Sequence, residues 1–159
     1  MNIRIGTGFD VHSLEEGLPF RLGGINIPHY KGAKGHSDAD TLIHAICDAM
    51  LGAAALGDIG MHFPDSSDEY KGINSTILLG KTRQIIRNKG FDLINIDSVI
   101  MLQSPKLQPY INEMRKTLAA VLDMDMENIS IKATTTEKLG FIGNESGVAA
   151  NAVVLLRKL

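Results

Sequence analysis

The sequence contains a single cysteine, Cys47, and no tryptophan. One cysteine cannot form an intramolecular disulfide, and Cys47 lies within the apolar run of residues 42–56. We therefore expect Cys47 to be a small buried side chain and not a nucleophile. A domain of 159 residues buries roughly 70% of the surface of its unfolded chain, so it needs neither a disulfide nor a structural metal to fold. Any metal that the chain binds is expected to serve its function.

Long apolar segments and blocks of positive charge are also missing. No segment approaches the roughly 18 uninterrupted apolar residues of a membrane helix. Sixteen Lys and Arg against eighteen Asp and Glu give a formal charge of -2, without a basic block. Neither nucleic acid nor a membrane is therefore expected as a partner. The first residues enter strand-like alternation directly, without the apolar core of a signal peptide, so the cytoplasm is the expected location.

Apolar periodicity predicts strands separated by helices. Ile3 and Ile5 begin a strand that we expect to end at the polar cluster of residues 10–16, and Gly23-Gly24 indicates a hairpin. Residues 42–54 have helical spacing, with Ser37 and Asp38 as candidate caps. The remaining elements are expected to be helices at 73–89 and 108–122, strands at 95–102 and 129–135, and a final strand or buried element at 147–156. Without repeats or linkers, residues 1–159 are expected to form one α+β domain.

Three residues have the makeup of a metal site. Asp10 and His12 are two positions apart, so an extended chain projects both side chains to the same face. His44 lies on the first predicted helix, and Asp40 and Asp48 flank it by one helical turn on either side, where we expect them to orient its second ring nitrogen. Two histidines and a carboxylate leave a fourth position open, as in catalytic zinc sites. The spacing alone does not decide between this site and ordinary polar residues.

Three polar loops are candidates for binding a phosphorylated substrate. Residues 35–40 lead into a helix, where backbone N–H groups can bind phosphate or the side chains can simply cap the helix. Residues 55–65 hold two glycines, two aspartates and a histidine, more than a helix end requires, which favours binding of polyol hydroxyls. Residues 132–140 contain three consecutive threonines and Glu137, which suit a diphosphate with Mg²⁺ or Mn²⁺ but equally a plain strand end.

Four segments follow one another along the chain: RIGTGFDVH, GHSDADTLIHAICDAMLGAAALGDIGMHFPD, PKL and IKATTTEKLGFIG. Together they resemble the 2-C-methyl-D-erythritol 2,4-cyclodiphosphate synthase family of the non-mevalonate isoprenoid pathway. The resemblance extends over nearly the whole chain. It implies a single small α+β domain whose sheet packs with helices on one side, with ferredoxin-like βαβ character, and a homotrimer with active sites between subunits.

The resemblance also implies a reaction. The 2-phosphate of 4-diphosphocytidyl-2-C-methyl-D-erythritol 2-phosphate attacks the β-phosphorus of the diphosphate, which gives the cyclic diphosphate and releases CMP. In the family, zinc orients and polarises the β-phosphate, and a second metal between the α- and β-phosphates assists the departure of CMP. The nucleophile belongs to the substrate, so the protein needs to supply only positioning and electrostatic stabilisation.

The resemblance assigns roles residue by residue. The implied zinc ligands, the first two also close to substrate, are Asp10, His12 and His44. The implied catalytic residues are His36 and Ser37 of a mobile loop, Thr135, and Glu137 as the Mg²⁺ or Mn²⁺ ligand. The pocket for the methylerythritol hydroxyls is implied to contain Asp58, Gly60 and Asp65. The cytidine and phosphate pocket, contributed by the adjacent subunit, is implied to contain Lys106, Leu107, Ala133, Thr134 and Thr135, with Thr136 and Phe141 as further substrate contacts.

Two positions depart from the common family pattern. Asn144 and Asn151 stand where many members carry an arginine and a glutamate that line a cavity on the trimer axis. An asparagine cannot replace the bidentate phosphate contact of arginine. We therefore expect that isoprenoid diphosphates do not bind tightly on the axis of this trimer.

Two other functions are compatible with the polar residues of the sequence. A zinc-dependent phosphohydrolase of a nucleotide-linked substrate would need a general base near the open metal position, and Asp48 and Asp65 are the candidates. A non-catalytic trimer that binds metal and nucleotide would follow from a decayed site. All the motif residues are present, which argues against decay.

Overall fold

The structure is a computed structural model that describes residues 2–159. Seven strands are present: β1 (Ile3–Glu16), β2 (Arg21–Leu22), β3 (Ile25–Asn26), β4 (Lys31–Ala33), β5 (Phe91–Met101), β6 (Ile129–Thr134) and β7 (Gly147–Lys158). The helices are α1 (Thr41–Ala53), α2 (Ile59–His62), α3 (Ser75–Asn88), α4 (Ile111–Leu122) and α5 (Gly140–Gly143). Short 3₁₀ turns lie at Asp68–Tyr70, Gln108–Tyr110 and Met126–Asn128.

Five strands form one mixed sheet in the order β4-β1-β7-β5-β6, and β2 and β3 form a separate hairpin. Only the β5–β6 pair of the large sheet is parallel, and α4 makes the crossover between these two strands. The expected βαβ unit is therefore present as β5-α4-β6. The hairpin predicted at Gly23-Gly24 is also confirmed, since these residues join β2 to β3.

The long helices cover one face of the sheet. Helix α1 packs on β1 and β7, α3 packs on α1 and β5, and α4 packs on α3 and β6. On the other face, the β1 side chains Ile5, Phe9 and Val11 are 73%, 55% and 45% exposed. The expectation of a small α+β domain with helices on one side of the sheet is confirmed.

Helix α1 is the centre of the core, and it approaches β1 unusually closely. Ten of its 13 residues are buried. A Cβ atom on Gly6 would lie 2.0 Å from the Ala49 carbonyl oxygen, and one on Gly8 would lie 1.9 Å from the Ala45 carbonyl oxygen. Glycine is therefore required at both strand positions. This contact sets α1 directly on the strand that carries Asp10 and His12.

Two local predictions were wrong. Strand β1 does not end at residue 10, because it continues to Glu16 by pairing first with β7 and then with β4. Backbone hydrogen bonds to β7 on one edge and to β4 on the other keep residues 10–16 in a strand, although most of their side chains are polar. The N-cap of α1 is Asp40, which accepts a hydrogen bond from the Ile43 N–H at 3.0 Å, and not Ser37 or Asp38.

The remaining helices and strands are of the predicted type, but some of them begin or end at other residues than predicted. Helix α3 is capped by Asn74, and α4 follows the turn at Gln108–Tyr110. Strand β5 begins earlier than predicted, at Phe91, and the last element is a strand, β7. Among residues 2–159, no helix combines the length and hydropathy needed to cross a bilayer.

Candidate functional site

Asp10, His12 and His44 meet at one end of the contact between β1 and α1. One ligand atom from each residue lies within 4.8 Å of the others. The Asp10 Oδ2 atom is 3.0 Å from His12 Nδ1 and 3.1 Å from His44 Nδ1. Because even-numbered residues of β1 face α1, the two-residue spacing places Asp10 and His12 together, as predicted. The three side chains are therefore positioned to bind a metal ion.

The electrostatics of this cluster favour a positive charge between the three side chains. Burial acts to raise the pKa of the Asp10 carboxyl, but hydrogen bonds and charge from His12 and His44 outweigh burial and lower it. Burial acts to lower the pKa of His44, but the Asp10 hydrogen bond and nearby carboxylates raise it. Asp10 is thus ionised at neutral pH, beside a His44 ring whose protonated, cationic form the nearby carboxylates stabilise. The donor set fits a divalent transition metal, with a coordination position left open.

A cavity of about 180 Å³ opens beside the cluster. Its lining includes His36, Ser37, Gly60 and Asp65 together with the three clustered residues. His36 is held by a contact of 3.2 Å between its Nε2 and the Ser67 carbonyl oxygen. The loop of residues 35–40 and the segment of residues 55–65 thus meet over the metal cluster, although they flank α1 in sequence.

Asp58 does not line this cavity. Its carboxylate caps α2 by accepting a hydrogen bond from the Met61 N–H at 3.0 Å. Of the three residues predicted for the hydroxyl pocket, Gly60 and Asp65 line the cavity and Asp58 does not.

The predicted partners of His44 were wrong. Asp40 is fully buried and accepts hydrogen bonds from the N–H groups of Gly23 at 2.9 Å and Gly24 at 2.7 Å. Asp48 accepts one from the Ile59 N–H at 2.7 Å. Both carboxylates therefore bind backbone, and neither reaches the His44 ring, even though each is one helical turn away.

The second ring nitrogen of His44 contacts two hydroxyls instead. Its Nε2 lies 3.0 Å from Ser37 Oγ and 3.0 Å from Ser75 Oγ. Ser75 in turn donates a hydrogen bond to Asp38. Sequence reasoning missed Ser75 because it begins α3, 31 residues from His44, and no spacing pattern links the two.

The sequence also did not indicate the apolar part of the cavity. The remaining lining residues are Ile59, Phe63, Tyr70 and Leu78. Phe63 and Tyr70 pack edge to face with ring centroids 5.4 Å apart. This wall limits access of water to one side of the metal cluster.

A second cavity, of about 710 Å³, lies at the ends of β5 and β6. All five residues of the predicted cytidine and phosphate pocket line it: Lys106, Leu107, Ala133, Thr134 and Thr135. The two cavities have no lining residue in common. One chain therefore presents a metal cavity and a nucleotide-sized cavity as separate features.

Besides Asp58, three predicted residues line neither cavity. Thr136 donates a hydrogen bond to the Leu139 carbonyl oxygen at 2.7 Å, and Glu137 and Phe141 are exposed beyond β6. Glu137 has a positive φ of 53°, typical of a sharp turn, and the segment that follows returns to β7, where the Phe141 ring lies against Gly147. Asn144 caps the Ser146 N–H at 3.0 Å, and Asn151 donates to the Gly8 carbonyl oxygen at 2.9 Å.

A family model, the YgbB family, matches residues 3–157. Among curated proteins, the chain is similar to 2-C-methyl-D-erythritol 2,4-cyclodiphosphate synthase of Porphyromonas gingivalis, with 58% identity over 153 residues, 96% of this chain and 94% of the relative. The synthase of Bacteroides thetaiotaomicron is 57% identical over 158 residues, with 99% of each chain covered.

Solved structures agree with these relatives. The bifunctional IspDF from Campylobacter jejuni has a TM-score of 0.96 at 47% identity; the match covers 99% of this chain but only 43% of that longer protein. A 2C-methyl-D-erythritol-2,4-cyclodiphosphate synthase in its CDP-bound form has a TM-score of 0.90 at 38% identity, covering 97% of this chain and all of that one.

Proposed function

The chain belongs to the YgbB family, whose similar members are 2-C-methyl-D-erythritol 2,4-cyclodiphosphate synthases, and we propose that it catalyses their reaction. The substrate is 4-diphosphocytidyl-2-C-methyl-D-erythritol 2-phosphate, and the products are the 2,4-cyclodiphosphate and CMP. The observation that carries the proposal is the cluster of Asp10, His12 and His44 beside a polar cavity. The chain thereby serves isoprenoid precursor synthesis by the non-mevalonate pathway, as a phosphorus–oxygen lyase.

Asp10, His12 and His44 hold zinc in this proposal, because two imidazoles and a carboxylate with an open position match catalytic zinc sites. Glu137 holds Mg²⁺ or Mn²⁺ together with the substrate diphosphate, since these ions prefer carboxylate and phosphate oxygens. When bound, the two metals supply positive charge to the phosphoryl oxygens.

The protein residues position the substrate in this proposal. Ser37 and His36 lie over the cavity and donate hydrogen bonds to the methylerythritol phosphate. Asp65 and the backbone at Gly60 bind the hydroxyls of the polyol, and the wall of Phe63 and Tyr70 excludes water that would otherwise compete with the 2-phosphate.

The cytidine end of the substrate occupies the larger cavity, where Lys106 meets a phosphate and Thr134 and Thr135 contribute hydroxyls. We assign this cavity to the neighbouring subunit of a homotrimer, as in the family resemblance. The separation of the two cavities in one chain supports this arrangement, and so does the exposed apolar face of β1.

Phosphorus NMR of the protein with substrate, zinc and magnesium tests the reaction. We expect signals of the cyclic diphosphate and of CMP. Ring-opened phosphates would point to the hydrolase, and unchanged substrate would leave a metal- and nucleotide-binding protein without activity. Either of these results would overturn the proposal.

The zinc phosphohydrolase is not supported by the site. Asp48, one of its two candidate bases, binds the Ile59 N–H and does not line the cavity. Asp65 lines the cavity but is exposed. No relative described above is named as a hydrolase.

His44→Ala tests the ligand assignment. Loss of a ligand should weaken zinc binding by more than the about 100-fold that loss of a supporting partner costs, with the circular dichroism spectrum retained. His29→Ala is the matched control, because His29 packs against Phe20 and Tyr30 and lines neither cavity. Equal zinc contents of the two variants, measured by atomic emission after dialysis, would contradict the assignment.

A further inference from the structure

The two ring nitrogens of His44 face different partners. Nδ1 lies 3.1 Å from Asp10 Oδ2, on the metal side, whereas Nε2 lies 3.0 Å from Ser75 Oγ on the protein side. A neutral imidazole carries one proton, and only the nitrogen without it can bind a cation. His44 can therefore serve as a ligand beside Asp10 only when its proton is on Nε2.

The Ser75 hydroxyl is held in one orientation. It is fully buried, and its proton is donated to Asp38 Oδ1. A carboxylate can only accept, so Asp38 determines the direction of this hydrogen bond. With its proton committed to Asp38, the Ser75 oxygen can only accept from His44 Nε2.

Asp38 is itself held by several further contacts. Its Oδ2 accepts from the Ser75 N–H at 2.9 Å and pairs with Arg21 Nε at 3.3 Å. Its Oδ1 also accepts from the Asp40 N–H at 3.2 Å. The carboxylate is thus attached to the first residue of α3, to the β2–β3 hairpin and to the start of α1.

We propose that Asp38 and Ser75 form a relay that favours the Nε2–H tautomer of His44, against the Asp10 carboxylate that accepts at Nδ1 when no cation is bound, and so presents Nδ1 to the cation beside Asp10. The relay deepens the metal site of the proposed function and rests on it. Asp38 and Ser75 are positioning residues, because they act through His44 and do not line the metal cavity. Such supporting hydrogen bonds fix both the tautomer and the ring orientation of metal-binding histidines.

Ser37 contacts the same nitrogen but is not constrained in the same way. Its Oγ lies 3.0 Å from His44 Nε2 and accepts a long bond of 3.4 Å from the Ala39 N–H. No carboxylate takes its proton among the hydrogen bonds of residues 2–159. The proton of Ser37 therefore stays available for a substrate oxygen, while Ser75 favours the Nε2–H tautomer.

Chelator competition measures the effect on zinc binding. We expect Ser75→Ala to weaken zinc affinity by about 10- to 100-fold, and Ser75→Thr, which keeps the hydroxyl, to recover most of it. Ser98→Ala is the matched control: Ser98 is 2% exposed and donates to the Ser130 carbonyl oxygen at 2.9 Å on β5. This control should retain the wild-type affinity.

Nitrogen-15 NMR of labelled histidines measures directly which ring nitrogen of His44 carries the proton. The spectra are recorded on metal-free protein at alkaline pH, where the imidazole is neutral. His44→Gln identifies the resonances. Because Asp10 accepts at Nδ1 in the metal-free protein, we expect both tautomers in the wild type and a clearly smaller Nε2–H fraction in Ser75→Ala. Asp38→Asn should shift the mixture in the same direction, because an amide cannot accept on both of its atoms, and it carries the test if Ser75→Ala does not fold.

Two results would overturn the relay: an Nε2–H fraction of His44 that is the same in wild type and Ser75→Ala, or equal zinc affinities of Ser75→Ala and Ser98→Ala. Failure of the metal site is a separate result. If wild-type protein binds no zinc yet shows an Nε2–H tautomer that Ser75→Ala disturbs, the proposed metal function fails and the relay stands.

Discussion

At the scale of single residues, Cys47 shows how burial lowers the reactivity of a thiol. Its side chain is fully buried on α1, and burial raises the pKa of the thiol to about 12. Only the thiolate reacts with disulfide reagents. We expect no labelling of the native protein by an aromatic disulfide at pH 8 over minutes, and labelling of one thiol per chain in denaturant. Rapid labelling of native protein would contradict the packing of α1.

Glu137 should affect turnover without affecting the zinc cluster. It is exposed and lies apart from the cavity lined by Asp10, His12 and His44. We expect Glu137→Gln to slow turnover with Mg²⁺ by about 100-fold, the usual cost of removing one electrostatic contributor, and to leave zinc content unchanged. Glu127→Gln, on an exposed turn, is the control. Wild-type turnover of Glu137→Gln would exclude its role as a metal ligand.

The residues that could be predicted are those whose geometry is set locally. Asp10 and His12 share a strand face, so their spacing was enough to predict that the two side chains lie together, though not that they bind a metal. The partners of His44 could not be predicted, because adjacency on a helix brings side chains near each other without fixing what they bind. Asp40 and Asp48 satisfy backbone N–H groups of other segments, and Ser75 comes from a distant helix end.

At the scale of elements, the contact between β1 and α1 should be intolerant of any side chain at Gly8. Its Cβ would lie 1.9 Å from the Ala45 carbonyl oxygen, so α1 would have to move away from β1. We expect Gly8→Ala to lower the free energy of unfolding by about 1–3 kcal/mol or more, measured in urea. Zinc affinity should fall as well, because His44 moves with α1.

Gly52, on the α1 side of the same contact, provides the control. An added Cβ there would meet only the Thr7 carbonyl oxygen, at 3.9 Å. Gly52→Ala should therefore stabilise the protein by about 0.5–1 kcal/mol through helix propensity. If Gly8→Ala were as stable as wild type, the close approach of α1 to β1 would not be what assembles the cluster.

The type of each long element could be predicted, but several of its ends could not. Periodicity in residues 42–54 reflects burial, which is a property of the helix itself. The end of β1 depends on pairing with β4, and the choice of Asp40 as cap depends on the hairpin turn at Gly23 and Gly24. Both features depend on contacts between distant segments. Local composition therefore gave the wrong end for β1 and the wrong cap for α1.

At the scale of the whole molecule, the uncovered face of the sheet bears on assembly. Ile5, Phe9 and Val11 are large, exposed and on the face opposite the helices. Contiguous exposed apolar surface on a soluble domain marks an interface. The proposed homotrimer buries this face, and it brings the metal cavity of one subunit to the nucleotide cavity of the next.

Ile5→Glu tests this arrangement, since Ile5 is the most exposed of the three at 73%. We expect light scattering to show monomers and turnover to fall by at least about 100-fold, because burying an unpaired carboxylate in the interface costs several kcal/mol. Zinc affinity should remain, because all three ligands belong to one chain. Ile77→Glu, at a side chain 50% exposed on α3, should stay trimeric and active. Full turnover by a monomeric Ile5→Glu protein would place both cavities of a working site in one subunit, and the shared active site would be wrong.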